Sequence, residues 1–434
     1  MTSPRPNAAR SDLGCGCDEG QRAAATIGRR GFLAGAGALG VAAGLASTGI
    51  TTQLAWADPS YSGDTLVVLS LRGGFDGLSA VVPVGDPGYA PARPTIAVPG
   101  SRVLPLDGMF GLHPALSRLL PLYRSGSLAF VHAVGQQVRT RSHFKAMEEM
   151  ESAEPGSSLR RGWIDRMVGV SGSPSTFSSV AMGTGGAPSS MRGPVPEVVM
   201  TDLESFSPVA PNLPGEQQRL ASVLTALHRS GPEVLRTATA ATLAATTAAR
   251  QVRATAPDLA PAASYPDTPL GRSLREVARL VKGRVGLRAV TVDVGNWDMH
   301  VGLGSSDRGW MFNQLSELGA ALAGFAADLG DRLDDVTLVT LSEFGRRVAE
   351  NGSGGVDHGH GNLAMVMGGG VVGGRVFGRW PGLGPDQLDD GDLASTTDYR
   401  TIIAEILEKR CRLSTGTVFP SLGSDRLGLA RLRS

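Results

Sequence analysis

The sequence predicts an α/β fold, a doubly wound and mainly parallel sheet, and three observations lead there. Short continuous apolar runs, such as Thr65 to Leu71, carry no polar alternation and read as strands buried on both faces. Helical patterns stand between those runs, and strand-then-helix repetition is the α/β signature. Glycine, 59 of 434 residues, gathers just after several of the runs, where tight strand-to-helix turns and close backbone approach call for it.

Taken in order, Thr65 to Leu71 is the first central strand and runs into Arg72-Gly-Gly-Phe-Asp76-Gly. His113 to Tyr123 has apolar positions near helical spacing. Leu128 to Val134 is a second buried strand. Ser142 to Glu151 reads as a helix with Ser142 as its N-cap. From about 155 to 285 the chain reads as a loop-rich and helical insertion. It holds short strands at Ser179 to Gly183 and Glu197 to Met200. Its helices fall at Glu216 to Arg229, Pro232 to Arg253 and Gly271 to Lys282. The sheet resumes with Leu287 to Val294, a helix over Gly309 to Leu329, and strands at Val336 to Leu341 and Leu363 to Met367. A closing helix spans Asp398 to Lys409, with Thr396 or Thr397 near its cap.

The first 57 residues read as a cleaved targeting segment. Arg29-Arg30-Gly-Phe-Leu33 precedes an uncharged Ala/Gly/Leu stretch that ends in Ala55-Trp56-Ala57, a small-x-small cleavage pattern. The arginine pair resembles a twin-arginine signal, so the expected partner is that export machinery and the expected location is periplasmic, cell-envelope or extracellular. Residues 58–434 then form a single domain with 36 basic against 37 acidic residues, a net of −1. No basic field is left for nucleic acid or an anionic membrane surface, and no permanent span is expected in the mature chain. Cys411 alone remains of three cysteines, which excludes an intramolecular disulfide and a thiolate zinc site.

The chemistry concentrates at the ends of the strand runs. Asp76 follows the first, Asp298-Met-His300 the apolar run beginning at Leu287, and Glu343 the run beginning at Val336. Asp357-His358-Gly-His360 stands just before Leu363. Open α/β sheets gather their chemistry at the carboxyl ends of strands. Asp, Glu and His together are the donors of a divalent metal centre, so Asp76, Asp298, His300, Glu343, Asp357, His358 and His360 are the candidate ligands. Asp298 either ligates beside His300 or orients it. Zinc suits the Asp/His set, and calcium, magnesium or manganese a site dominated by oxygen. Gly352-Ser-Gly-Gly355 suggests a flexible loop before Asp357, one able to order on binding. Ser142 at a helix start is the candidate nucleophile, where the helix dipole and free N–H groups favour a bound anion. Arg141 would clamp a phosphate or sulfate oxygen, and His143 would act as a base or pack. Arg72 and Arg346 are further candidates for neutralising an oxyanion. There is no Gly-x-Ser-x-Gly elbow, Walker loop or His-Glu-x-x-His.

Together LRGGFDG, RSHF, RGWIDR, WDMH, LSEFGR, DHGHGN with the following GGGVVGG, and TTDYR resemble a secreted bacterial family, domain of unknown function 1501, over nearly the whole mature chain. That family is grouped with the alkaline-phosphatase-like superfamily of phosphatases, sulfatases and phosphomutases. The resemblance implies an alkaline-phosphatase-like sheet with metal ligands at strand ends. Asp76 would match the superfamily's first-strand Asp and Ser142 its nucleophile. Asp298 and His300 would match one metal site, with Asp293 as the alternative partner, and His358 or His360 the late His. Ser342-Glu343-Phe344 stands where an Asp-His pair is common; Glu343 can ligate and Phe344 cannot, a departure that argues against a two-metal centre and leaves one ion or none, a degenerate site. No Cys-x-Pro-x-Arg is present for formylglycine chemistry. The expected function is a secreted metal-dependent hydrolase of phosphate or sulfate esters on a small-molecule or polymer substrate. Its rival is a non-catalytic secreted binding or assembly protein on the same fold.

Overall fold

The computed structural model describes residues 61–433, except 157–160, 184, 205, 207–215, 230, 256–258 and 262. The twin-arginine segment expected over residues 1–57 lies outside the described residues. Nine strands form the main sheet: β1 (Thr65–Leu71), β2 (Leu128–Gly135), β3 (Ser179–Met182), β4 (Val198–Met200), β5 (Ala289–Val294), β6 (Val336–Leu341), β7 (Asn362–Gly368), β8 (Val376–Phe377) and β9 (Thr397–Asp398). Their order is β8-β2-β7-β6-β1-β5-β3-β4, with β9 paired to β2. Every pairing is parallel except those of β7, which runs antiparallel to both β2 and β6. The sheet is therefore mixed and mostly parallel.

Helices cover both faces. The alternation of β1 shows why: Val67, Leu69 and Leu71 join one apolar core, while Leu66 and Val68 join the other. On the first face lie α5 (Pro269–Lys282), through Leu274 and Val277, and α6 (Trp310–Leu329), through Leu318 and Phe325. On the second lie α2 (Trp163–Val170), through Trp163 and Met167, and α7 (Tyr399–Lys409), through Ile402 and Ile406. Each such fully buried side chain stabilises the sheet by about 1.5–3 kcal/mol. The other longer helices among the described residues are α1 (His143–Ser152), α3 (Glu216–His228) and α4 (Glu233–Thr255). Among the described residues no helix is long and apolar enough to cross a membrane.

Several local details differ from the sequence reading. Helix α2 lies in a stretch read as loop, because its flanks are rich in Gly, Ser and Pro. The stretch from His113 to Tyr123 splits into a 3-10 turn at Pro114–Leu119 and a short α-turn at Leu120–Arg124, with Pro121 at the junction. The cap of α7 is Asp398, whose side chain accepts from the Arg400 N–H, rather than Thr396 or Thr397. Two strands of the 155–285 stretch, β3 and β4, extend the main sheet.

The reversed direction of β7 positions the site. Its amino end lies at the same edge as the carboxyl ends of β1, β2, β5 and β6. Residues just before β7 thus share an edge with residues just after the other four.

Candidate metal centre

Three imidazoles meet at that edge. His143 opens α1 after β2, His300 follows β5, and His358 precedes β7. His358 Nε2 lies 3.0 Å from His143 Nε2 and 3.0 Å from His300 Nε2. The Asp298 carboxylate joins them, with Oδ1 3.0 Å from His300 Nε2 and 3.2 Å from His358 Nε2. Its Oδ2 lies 3.7 Å from His143 Nε2. The donor atoms of His143, Asp298 and His358 all fall within 4.8 Å of one another.

What backs each ring decides what its Nε2 offers. His143 Nδ1 is 2.8 Å from Glu343 Oε1, His300 Nδ1 is 2.8 Å from Asp357 Oδ1, and His358 Nδ1 is 2.8 Å from the Arg141 carbonyl. All three partners are acceptors, so each Nδ1 carries a proton and a neutral ring presents a lone pair at Nε2. Such backing is the usual companion of a metal-bound imidazole. Facing lone pairs at this spacing repel unless a proton or a metal ion lies between them. Imidazoles on one zinc ion, at Zn–N distances of about 2.0–2.1 Å, stand about 3.3 Å apart in tetrahedral geometry. The spacing and the donor chemistry fit a divalent ion.

The charges agree. The Asp298 and Glu343 carboxylates outweigh partial burial and raise His143 to about 9. Against desolvation, His143, His358 and Arg346 hold Asp298 well below the usual carboxylate range. Burial of Glu343 is likewise outweighed by His143 and by the Gly73 N–H, which donates to Oε1 at 2.8 Å. The His300 hydrogen bond is the chief cause that lowers Asp357. A metal ion therefore has to displace a proton from His143.

The other sequence candidates are placed as follows. Glu343 and Asp357 back imidazoles, with their hydrogen-bonded oxygens turned to Nδ1 atoms. Asp76 stands apart: both its oxygens take the Arg93 guanidinium, at 2.6 and 3.0 Å, and Oδ2 also takes the Ser79 hydroxyl at 2.5 Å. That ion pair is buried, and a carboxylate so occupied has no oxygen to bring to the cluster. His360 turns away from His358 and lines a small cavity with Gln136, Ser342 and Asn362. Ser142 caps α1 by position, yet its exposed side chain makes no capping bond.

The arginines are engaged. Arg141 pairs with Asp390 at 3.1 Å and Asp392 at 3.0 Å. Arg72 pairs with Glu151 at 2.9 Å and Asp293 at 2.8 Å. Arg346 is buried beneath the cluster. It donates to the carbonyls of Gly73, Gly74, Val356 and Trp297 and, at 2.7 Å, to Asp298 Oδ1. It braces the floor of the site. Phe344, dismissed as a ligand, forms a wall, with its ring centroid 4.8 Å from His143 and 4.7 Å from His358. Sequence reasoning missed Asn351, whose side chain holds the loop before Asp357. An Asn ahead of Gly-Ser-Gly-Gly is an Asx-turn signal that could have found it.

The chain is similar to two solved structures at low identity. The lipoteichoic acid synthase LtaP from Listeria monocytogenes is 10% identical, with a TM-score of 0.31 over 81% of this chain and 78% of that one. The PsFucS1 sulfatase from Pseudoalteromonas sp. is 10% identical, with a TM-score of 0.29 over 72% of this chain and 64% of that one. No curated protein matches the chain. A family match runs over residues 64–410 and so takes in every member of the cluster: the chain belongs to the family described as "Protein of unknown function (DUF1501)".

Proposed function

We propose that the chain is a metal-dependent hydrolase of phosphate or sulfate esters, acting outside the cytoplasm after twin-arginine export. The observation that carries this reading is the meeting of His143, His300 and His358 Nε2 atoms with the Asp298 carboxylate, every ring backed at Nδ1 by an acceptor. Nitrogen donors in this number favour zinc over calcium or magnesium, which prefer all-oxygen sites. Bound there, the ion would supply a Lewis acid for the ester oxygen. The chain's own groups do the remaining work. Glu343, Asp357 and the Arg141 carbonyl keep the three rings aimed. Phe344 screens one side from water. Ser142, beside His143 at the start of α1, is the proposed nucleophile, and the helix terminus there favours negative charge.

A second reading, a non-catalytic secreted binding or assembly protein on the same fold, is favoured by one observation. Arg72, Arg141 and Arg346 are each paired with carboxylates, so a guanidinium must leave an acid to neutralise an oxyanion.

The test combines elemental mass spectrometry on the exported protein with hydrolysis of p-nitrophenyl phosphate and sulfate, beside Ser142→Ala and His358→Ala. The first reading expects a stoichiometric ion, turnover of one ester class, loss of the ion in His358→Ala, and loss of turnover alone in Ser142→Ala. Metal without turnover on either ester favours the second reading. A folded parent that takes up no divalent ion would sink the first reading and leave the second as the better account.

A further inference from the structure

The side chain of Asn351 uses its whole hydrogen-bonding capacity on two pieces of the site. Its Nδ2 donates to the His300 carbonyl at 2.9 Å and to Asp357 Oδ1 at 3.0 Å. Its Oδ1 accepts from the Ser353 N–H at 2.9 Å and the Gly355 N–H at 3.1 Å. The amide orientation is forced, since two backbone N–H groups need an acceptor and a carbonyl and a carboxylate need a donor. The same Asp357 Oδ1 takes His300 Nδ1 at 2.8 Å. Gly355 presses on the His300 backbone, where an added Cβ would overlap it. Gly302 and Leu303 donate to the Ser353 and Gly354 carbonyls at 3.0 and 2.8 Å. The glycine-rich loop expected to be flexible is thus tied down on both sides.

We propose that Asn351 is a positioning residue for the metal centre, fixing Asp357 so that His300 Nε2 faces His358 and Asp298. This rests on the metal reading above. Asp357 is half exposed, at 52%, and a carboxylate that open to water samples several rotamers unless a neighbour holds it. Asn351 supplies that neighbour and also holds the backbone of the residue being aimed. Only a side chain with a donor and an acceptor at this length does both. An aspartate would keep the bonds from Ser353 and Gly355 but would set a second carboxylate against Asp357.

That difference provides the experiment. Zinc affinity of the exported protein is measured by competition with a chromophoric chelator for the parent, Asn351→Asp, Asp357→Asn, His300→Ala, and His300→Ala combined with Asn351→Asp. Circular dichroism and Tm on the same samples report folding. Groups that orient a ligating imidazole commonly change affinity about 10–100-fold, and a loss in that range is expected for both Asn351→Asp and Asp357→Asn. In the His300→Ala background Asn351→Asp is expected to change nothing further, because its effect runs through His300. Affinity of Asn351→Asp within twofold of the parent overturns the proposal and leaves the metal reading intact. So does an equal loss with and without His300, the mark of a general loop defect. A folded parent that binds no zinc overturns the metal reading and this inference with it.

Discussion

His132 and His358 are both held by a backbone carbonyl at one ring nitrogen, Val81 at 2.7 Å and Arg141 at 2.8 Å, yet their second nitrogens meet opposite surroundings. His132 sits inside β2, stacked on Phe110 at 4.8 Å and edge-on to Trp380 at 5.2 Å. Its Nδ1 has no partner among the described residues. Burial drives its pKa down to about 4, and burial does the same to His113. At the sheet edge, by contrast, carboxylates raise His143 to about 9. The same ring is a neutral packing element in one place and a cation or ligand in the other. Burial within the sheet on one side and carboxylates at its edge on the other make the difference.

The comparison can be broken most sharply at Asp76, which the structure groups with the buried set. Asp76→Ala leaves Arg93 charged and unpaired, and should destabilise the protein by about 3–5 kcal/mol in denaturant unfolding. Metal content of the folded fraction should not change. If the ion is lost while stability holds, Asp76 belongs with the edge instead. Next in size, His358→Ala removes the ring whose Nε2 faces His143, His300 and Asp298 together, and should weaken zinc binding by about a hundredfold or more in chelator competition. His132→Ala should cost about 2 kcal/mol and leave zinc affinity within twofold, and an affinity loss there would erase the distinction drawn above.

The smallest effect is on pH. In metal-free protein the raised pKa of His143 contributes stability that is fully present below about 6.5 and lost as pH climbs through about 9. The depressed pKa values of His113 and His132 contribute stability present above about 6.5 and lost as pH falls toward about 4. Tm should therefore decline on both sides by a few degrees. His143→Ala should flatten only the alkaline limb, so a flattened acid limb would contradict the assignment.

Much of this division was legible in the chain. His132 lies within LAFVHAV, an apolar run that can only be interior, while His143, His300 and His358 stand in polar segments beside strand runs. The positions of β1, β2, β6 and β7 followed from apolar runs alone. What each carboxylate does was harder to read. Glu343 and Asp357 must lie close to the rings whether they ligate an ion or orient an imidazole, and sequence spacing is identical in the two cases. Asp76 misleads because its partner, Arg93, lies 17 residues on, beyond two short helices, in a stretch with no pattern of its own. Gly359 packs against the Arg346 backbone and sends the His358 and His360 rings to different places, a contact that sequence spacing does not report.

The reversed strand β7 carries a consequence for when an ion can be acquired. It fills the gap between β2 and β6, which are distant in sequence, so it forms only after long-range closure. His358 hangs from its leading end, and His143 follows β2 on one side. No growing or half-assembled chain presents these donors together. On the metal and export readings proposed above, ion selection would be deferred to the finished fold and decided by the supply in the compartment where folding ends, not by the one where the protein works.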